Sequence, residues 1–381
     1  MSQKILVSVL TLSTVMVVNA WGSLNDDASA ADEKENLKRK IDPLLPDPLM
    51  PKKKKSRNLE TQINPSDVLL EKEEECNEAN KAYDLAIKHT KSMEVDGNPE
   101  EALICFKTAA EKGHPKAQYN LGYAYVKGIG VEKNLKEAFS WFTKAALQDD
   151  PKAQYYLGFL HENGMGIAKD LKLALAWYEK AAEQNLKEAQ YKLGLLYGEG
   201  LGVDKNPEES ATWFTKAALQ GLKEAQFKLA LLYGYGTGVD KNPQEAFAWF
   251  KKAAEQGLKG AQYNLGILYK NGLGVDKNPQ EAMNWLRKAA EQGHIMAQFN
   301  LGSAYATGMG GDKNPQEAAV WYKKAAEQGL KEAQYNLGLL YREGLGVDKN
   351  PEEELTWFTK AAEQGSEKAQ YYLGLLHRGA V

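Results

Sequence analysis

Residues 189–221 run Ala189-Gln190-Tyr191-Lys192-Leu193-Gly194-Leu195-Leu196-Tyr197, then a turn with Gly200 and Gly202, then Asn206-Pro207-Glu208-Glu209 and an apolar run closing at Gly221. In the first half, Ala189, Leu193, Leu196 and Tyr197 follow the i, i+4, i+7, i+8 spacing of one helical face. The second half opens with three start signals. Asn206 is a strong N-cap, Pro207 suits the first helical position, and Glu209 stands where it can return a hydrogen bond to the cap. Ala211, Phe214, Ala217 and Ala218 carry the second apolar stripe, which Trp213 widens. The stretch reads as two helices joined by a glycine turn.

The same reading recurs with a period of 36 residues and no insertions, the Ala-Gln-aromatic-x-Leu signature beginning at Ala117, Ala153, Ala189, Ala225, Ala261, Ala297, Ala333 and Ala369. A constant period of this size marks a solenoid, because one hairpin cannot bury its apolar face alone. The closing position reads Gly113, Asp149, Asn185, Gly221, Gly257, Gly293, Gly329 and Gly365. These residue types tolerate the left-handed conformation best, so the position is a helix C′ site. Gly-x-Gly loops such as Gly128-Ile129-Gly130 and Gly272-Leu273-Gly274 recur without a preceding strand or a P-loop lysine, which argues against phosphate binding. Trp141, Trp177, Trp213, Trp249, Trp285, Trp321 and Trp357 form a row in the second helix, expected to fill the joint between helices. Paired alanines such as Ala253-Ala254, with Gly122, Gly158, Gly194, Gly266, Gly302 and Gly338, let helices approach closely.

The pattern A-x-x-x-L-G-x-x-Y-x-x-G-x-G-V, then K-x-x-x-x-A-x-x-W-x-x-K-A-A-x-x-G, resembles the Sel1-like repeat family, a relative of the tetratricopeptide repeat. Residues 261–293 carry it nearly in full, and the resemblance spans 117–374 strongly. It implies an all-α, right-handed α/α superhelical solenoid that binds proteins or peptides, often as an adaptor. Cysteine-rich secreted members of the family are associated with β-lactam binding or hydrolysis, but they carry a disulfide in every repeat and this chain has two cysteines.

By the same resemblance, the third signature residue faces a concave groove: Tyr119, Tyr155, Tyr191, Phe227, Tyr263, Phe299, Tyr335 and Tyr371. Tyrosine gives a large contact area at low rotamer entropy, which suits recognition of an extended chain. The alternative is that these rings pack on the neighbouring unit's second helix as core. Four residues on, the same face reads Tyr123, Phe159, Leu195, Leu231, Ile267, Ser303, Leu339 and Leu375, followed by Val126, Glu162, Gly198, Gly234, Lys270, Ala306 and Arg342.

The amino terminus is of another kind. A positive start at Met1 to Lys4, an apolar run Ile5 to Val18 and the small residues of Val18-Asn19-Ala20 read as a secretory signal peptide over 1–20. The run is short for the ~20 residues of a membrane span, and Asp26 and Asp27 follow where a basic stop signal would stand. Residues 21–65 are charged and Pro-rich without helical or strand period, a disordered linker. Within it Pro51 to Arg57 holds four consecutive lysines, a solvated basic stretch or, in a host cell, a nuclear import signal. Residues 66–116 read as a divergent N-terminal capping repeat, 117–368 as seven complete repeats and 369–381 as a half-repeat cap. Where the second helix opens at Asp170-Leu171, Leu173 replaces the capping Glu, so that repeat is expected to lose its cap.

Composition excludes several function classes. Of 381 residues, 43% are hydrophobic, and 48 Lys and Arg against 51 Asp and Glu give a net charge of −3, so no global basic excess favours nucleic acid. Cys76 and Cys105 with five histidines supply no zinc cage, so no metal and no cofactor is expected. In a hairpin cap the two thiols stand too far apart along the helix to bridge. His89, His114, His161, His294 and His377 are read as falling at unrelated repeat positions, so no catalytic set converges. The expectation is an exported, secreted or periplasmic monomer that binds a protein or peptide and is not an enzyme. A secreted effector acting on host proteins and a cell-wall amide or β-lactam hydrolase are the alternatives.

Overall fold

The computed structural model describes residues 78–88, 99–165 and 167–377. The leader, the linker, Cys76 and His89 lie outside them. Among the described residues there is no strand, and 17 helices follow one another. They are α1 (78–88), α2 (Pro99–Glu111), α3 (Pro115–Lys127), α4 (Leu135–Ala146), α5 (Pro151–Asn163), α6 (Leu171–Glu183), α7 (Lys187–Glu199), α8 (Pro207–Leu219) and α9 (Lys223–Tyr235). The rest are α10 (Pro243–Glu255), α11 (Lys259–Asn271), α12 (Pro279–Glu291), α13 (Ile295–Thr307), α14 (Pro315–Glu327), α15 (Lys331–Glu343), α16 (Pro351–Glu363) and α17 (Glu367–His377). Two compact units divide them, α1–α8 up to Gln220 and α9–α17 from Gly221 on. Within each unit the odd-numbered first helices alternate with even-numbered second helices, consecutive helices pack in pairs, and the architecture is an all-α repeat solenoid.

Local chemistry starts the second helices where the sequence placed the signals, whereas the first helices α7, α9, α11 and α15 begin at a leucine without a side-chain cap. Asn206 Oδ1 accepts from the Glu209 amide at 3.0 Å, and Asn134, Asn242, Asn278, Asn314 and Asn350 cap their second helices in the same way. Asp170 does so too, accepting from Lys172 and Leu173 amides at 3.0 Å each, so the expected lost cap is corrected. The cap needs only the Asp oxygen, whatever the residue at the third helical position. The glutamates do other work: Glu317 and Glu353 accept from the indole N–H of Trp321 and Trp357 at 3.0 and 2.7 Å. At the closing position Asp149 (φ 59) and Asn185 (φ 62) hold the left-handed geometry that glycine holds elsewhere.

Three devices join helix to helix. Gly194 lies against Phe214, and a Cβ there would stand 2.6 Å from the ring, so α7 and α8 close only on glycine. Trp141, Trp321 and Trp357 reach from their own second helix onto alanines of the preceding one, Trp321 joining Ala289 and Ala290 in one cluster. In all seven repeats of the row the lysine three residues on covers the indole, 3.6–4.6 Å from the ring centroid. The third device is the glutamine of the signature. Gln262 is buried, donates to the Ala254 carbonyl ending the preceding second helix (3.2 Å), and accepts from Gln292 ending its own (2.7 Å).

The glutamine arrangement recurs at Gln118, Gln154, Gln190, Gln298 and Gln334. Each gives a second donor to a helix-end carbonyl that already accepts from the backbone amide three residues on, and ties that carbonyl to the next repeat. Replacing Gln262 with Leu is therefore expected to cost about 1 kcal/mol, since it leaves the Gln292 amide without this acceptor and removes one of two donors from the Ala254 carbonyl, which keeps the Gly257 amide. A urea titration checks this, and an unchanged midpoint would contradict it.

Candidate binding surface on the first helices

The eight residues that the resemblance placed on a groove occupy the third signature position of α3, α5, α7, α9, α11, α13, α15 and α17. Tyr155, Tyr191, Phe227 and Tyr263 are buried; Tyr119, Phe299 and Tyr335 are half-buried; Tyr371 is 67% exposed. Six of the rings meet an aromatic ring on the second helix of their own repeat. Tyr119–Phe142, Tyr155–Tyr178, Tyr191–Phe214, Phe227–Phe250, Phe299–Tyr322 and Tyr335–Phe358 have centroids 5.5–5.8 Å apart. For the four buried residues the groove-facing expectation is corrected to a core position, and the packing is within the repeat rather than on a neighbour. At Tyr155, Tyr191 and Tyr263 the glycine one turn on lets a neighbouring second-helix side chain come close, and at Phe227 the small Ala230 stands in its place. Tyr371 is open because no second helix follows α17 among the described residues to bring a ring against it.

The next position is half-buried in six repeats and buried at Lys192 and Asn264, and it changes chemistry from repeat to repeat. In the first unit it reads Asn120, Tyr156 and Lys192. Tyr156 is half-buried among Tyr119, Tyr123 and Phe142, stacked on Phe142 at 5.1 Å and 8°, and burial pushes its hydroxyl up to about 12. The phenol therefore stays protonated and can donate at any physiological pH. Lys192 is 4% exposed, yet it is charge-compensated, with Nζ 3.0 and 2.9 Å from the two oxygens of Glu162. The Tyr178 hydroxyl donates to the same carboxylate at 2.6 Å.

In the second unit the position reads Lys228, Asn264, Asn300, Asn336 and Tyr372. Tyr372 repeats the Tyr156 arrangement, stacked on Phe358 at 5.4 Å and 7° and 6.0 Å from Tyr335. Arg342 adds its guanidinium 4.9 Å from the Tyr372 ring centroid. Asn264 is buried with Oδ1 unpartnered, and Lys270, six residues on, is half-buried with burial alone holding its ammonium below the usual lysine range.

Two sequence readings of the histidines change. His114 and His294 are five periods apart, and His161 and His377 six, so these four fall on two repeat positions rather than on unrelated ones. His114 and His294 both cap first helices, each Nδ1 accepting from an alanine amide at 3.2 Å, and each ring stacks on a tyrosine of the preceding repeat, Tyr83 at 4.2 Å and Tyr263 at 4.6 Å. Their role is to join one repeat to the next. Among the described residues no group of three or more His, Cys, Asp or Glu could hold a metal ion.

Burial lowers the His114 pKa, with Lys116 lowering and Asp84 raising it. The neutral ring is the capping form, so this contribution to stability is complete above the unfolded value of about 6.5 and is lost as pH falls through the lowered folded value. Wild type is expected to lose more urea resistance than His114→Asn between about pH 7.5 and pH 5, because the asparagine cap does not titrate. Parallel losses would contradict the assignment.

The profile of the Sel1 repeat family matches residues 82–114, 115–150, 151–186, 187–222, 223–258, 260–294, 295–330 and 331–366. The chain belongs to the Sel1 repeat family. The matches include 82–114, the stretch whose sequence departs from the signature. Among solved structures, this Sel1 repeat chain is similar to c5321, a protective antigen of uropathogenic Escherichia coli with an SLR fold. The two are 35% identical at a TM-score of 0.75, over 83% of this chain and 68% of that one. It is also similar to a Sel1 repeat protein from Oxalobacter formigenes, at 33% identity and a TM-score of 0.60, over 86% of this chain and 97% of that one. No curated protein matches. Sel1 repeat proteins are typically non-enzymatic scaffolds that mediate protein–protein interactions. No helix among the described residues is long and apolar enough to cross a membrane.

Proposed function

We propose that this Sel1 repeat chain is an exported scaffold that binds an extended segment of another protein along the accessible positions of its first helices. One observation carries the reading. The chain repeats its core closely, with alanine, glutamine, glycine and tryptophan recurring in place, while the position after the signature aromatic passes through Asn, Tyr and Lys. A side chain that changes from repeat to repeat does not serve the stacking that every repeat shares, and such positions on a solenoid wall are where specificity is written. Export rests on the leader pattern of residues 1–20 and on the similarity to a protein described as a protective antigen.

Capture of partners by the immobilised full chain, compared with a Tyr123→Asn, Tyr371→Ala double variant, tests the scaffold. These side chains are half-buried and exposed. Captured protein should fall while circular dichroism stays unchanged; equal capture would contradict a first-helix surface. Sequencing the amino terminus of the mature protein tests export, the expected first residue being Trp21.

A further inference from the structure

Two tyrosines of the first unit are not required by the stacking. Tyr123 on α3 stands where four other repeats carry Leu195, Leu231, Leu339 and Leu375, and Tyr156 on α5 where four carry Asn120, Asn264, Asn300 and Asn336. With Tyr119 they make one cluster. Tyr123 lies 6.4 Å from Tyr119 at an interplanar angle of 27°, and Tyr156 lies 5.7 Å from Tyr119 and 6.0 Å from Tyr123. All three are half-buried, so each keeps part of its surface in solvent. Lys152, which is exposed, holds Nζ 5.8 Å from the Tyr119 ring centroid.

Neighbouring aromatic rings with polar tips are the surface that a polyproline II segment fits. Its prolines are rigid and apolar, it is ordered at low entropic cost, and its carbonyls have no partners within the segment. The chain carries a sequence of this kind outside the described residues. Pro43-Leu44-Leu45-Pro46 and Pro48-Leu49-Met50-Pro51 are two Pro-x-x-Pro pairs, with Asp47 between them. In polyproline II geometry each pair sets two prolines on one edge, ~9 Å apart, a span that covers rings whose centroids are 5.7–6.4 Å apart. Residues 52–77, between Pro51 and α1, reach up to ~90 Å when extended. The cluster is two to four helices beyond α1, at most ~40 Å away at 8–10 Å per helix.

Resting on the first-helix surface described above, we propose that residues 43–51 dock on Tyr119, Tyr123 and Tyr156 in the free chain, so that the scaffold masks its own surface until a partner displaces them. Lys152 supplies the counter-charge for Asp47. The segment lies beyond residue 20, so removal of the leader leaves it in place. Tethering favours the chain's own segment over one from another protein. At an effective concentration on the order of 1 mM, a site with a Kd of about 100 μM for the free segment is about nine-tenths occupied from within. The related cluster of Tyr335 and Tyr372 is a poorer seat, because Leu339 stands in the place of Tyr123 and Arg342 already covers the Tyr372 ring at 4.9 Å.

The probe is a fluorescein-labelled peptide of residues 41–51, read by anisotropy on the full chain and on a variant combining Pro43→Ala, Pro46→Ala, Pro48→Ala and Pro51→Ala. The variant is expected to bind the probe about tenfold more tightly than wild type, because its own segment no longer competes. A probe with alanine for every proline keeps the charges and should bind neither chain. Adding Tyr123→Leu and Tyr156→Asn to the variant should remove binding, and adding Tyr372→Asn instead should leave it intact.

A second readout leaves the site unaltered. In chains labelled with 3-fluorotyrosine, the Tyr123 resonance should differ between wild type and the proline variant with no peptide added, and the difference should persist on dilution. Equal probe affinity for the two chains, equal binding of the alanine probe, or identical Tyr123 resonances would each overturn the self-docking. A difference that fades on dilution would overturn it too, by assigning the segment to a second copy. The scaffold reading is judged separately by partner capture on the proline variant, whose surface is open whether or not the wild-type segment docks.

Discussion

Gly310→Ala is expected to destabilise the second unit by about 2–5 kcal/mol, where Gly293→Ala costs only about 1–2 kcal/mol. The two glycines have almost the same backbone, φ 75 and φ 77. Any L-residue with a Cβ pays the left-handed penalty at both. They differ in surroundings. A Cβ on Gly293 meets nothing within 4 Å, whereas one on Gly310 would stand 2.5 Å from the Pro279 carbonyl oxygen, at the start of the preceding repeat's second helix. The loop glycine is thus a point of contact between repeats, and a backbone oxygen cannot rotate away as a side chain can. Urea unfolding of the two variants, with amide exchange followed in α12 and α13, measures the gap. Equal midpoints would show that conformational freedom is the glycine's whole role and that the loop does not join repeats.

Phe227→Ala should cost about 3–5 kcal/mol, the range for deleting a buried aromatic ring, while Tyr371→Ala should stay within about 0.5 kcal/mol of wild type. Both stand at the third signature position. Phe227 is 2% exposed with its ring 5.7 Å from Phe250, and Tyr371 is 67% exposed. If the row formed an open recognition ladder, both substitutions would be mild and both would weaken partner capture. Core packing instead makes the first a folding variant and reserves the second for binding. A Phe227→Ala chain with wild-type urea resistance would restore the open ladder.

Much of the architecture is a property of the sequence alone. The 36-residue period, the Asn-Pro helix starts and the left-handed closing residues are local signals, since caps and C′ sites depend on the few residues around them. They stand at Asn206, Gly221 and Asn185 as read. Even where a local rule was misjudged, at Asp170, the correction is local as well: an aspartate oxygen caps without help from the third helical position.

The candidate surface was legible only in outline, because burial is decided by what another helix brings up against a side chain. Tyr191 and Tyr371 are the same residue type at the same place in the repeat, and one is covered while the other is open. Gln262 stood in the signature in plain view. Its partners lie 8 residues before and 30 residues after it, so its two hydrogen bonds exist only once second helices flank it on both sides. Lys270 and Lys192 are likewise both lysines on first helices, but a carboxylate one helix away neutralises Lys192 alone. Sequence by itself determined where the second helices begin, where each repeat closes and how often it returns, because those depend on near neighbours along the chain. Only the tertiary structure decided which repeated side chains are core and which charges are compensated, because those depend on atoms that the packing of helices brings together.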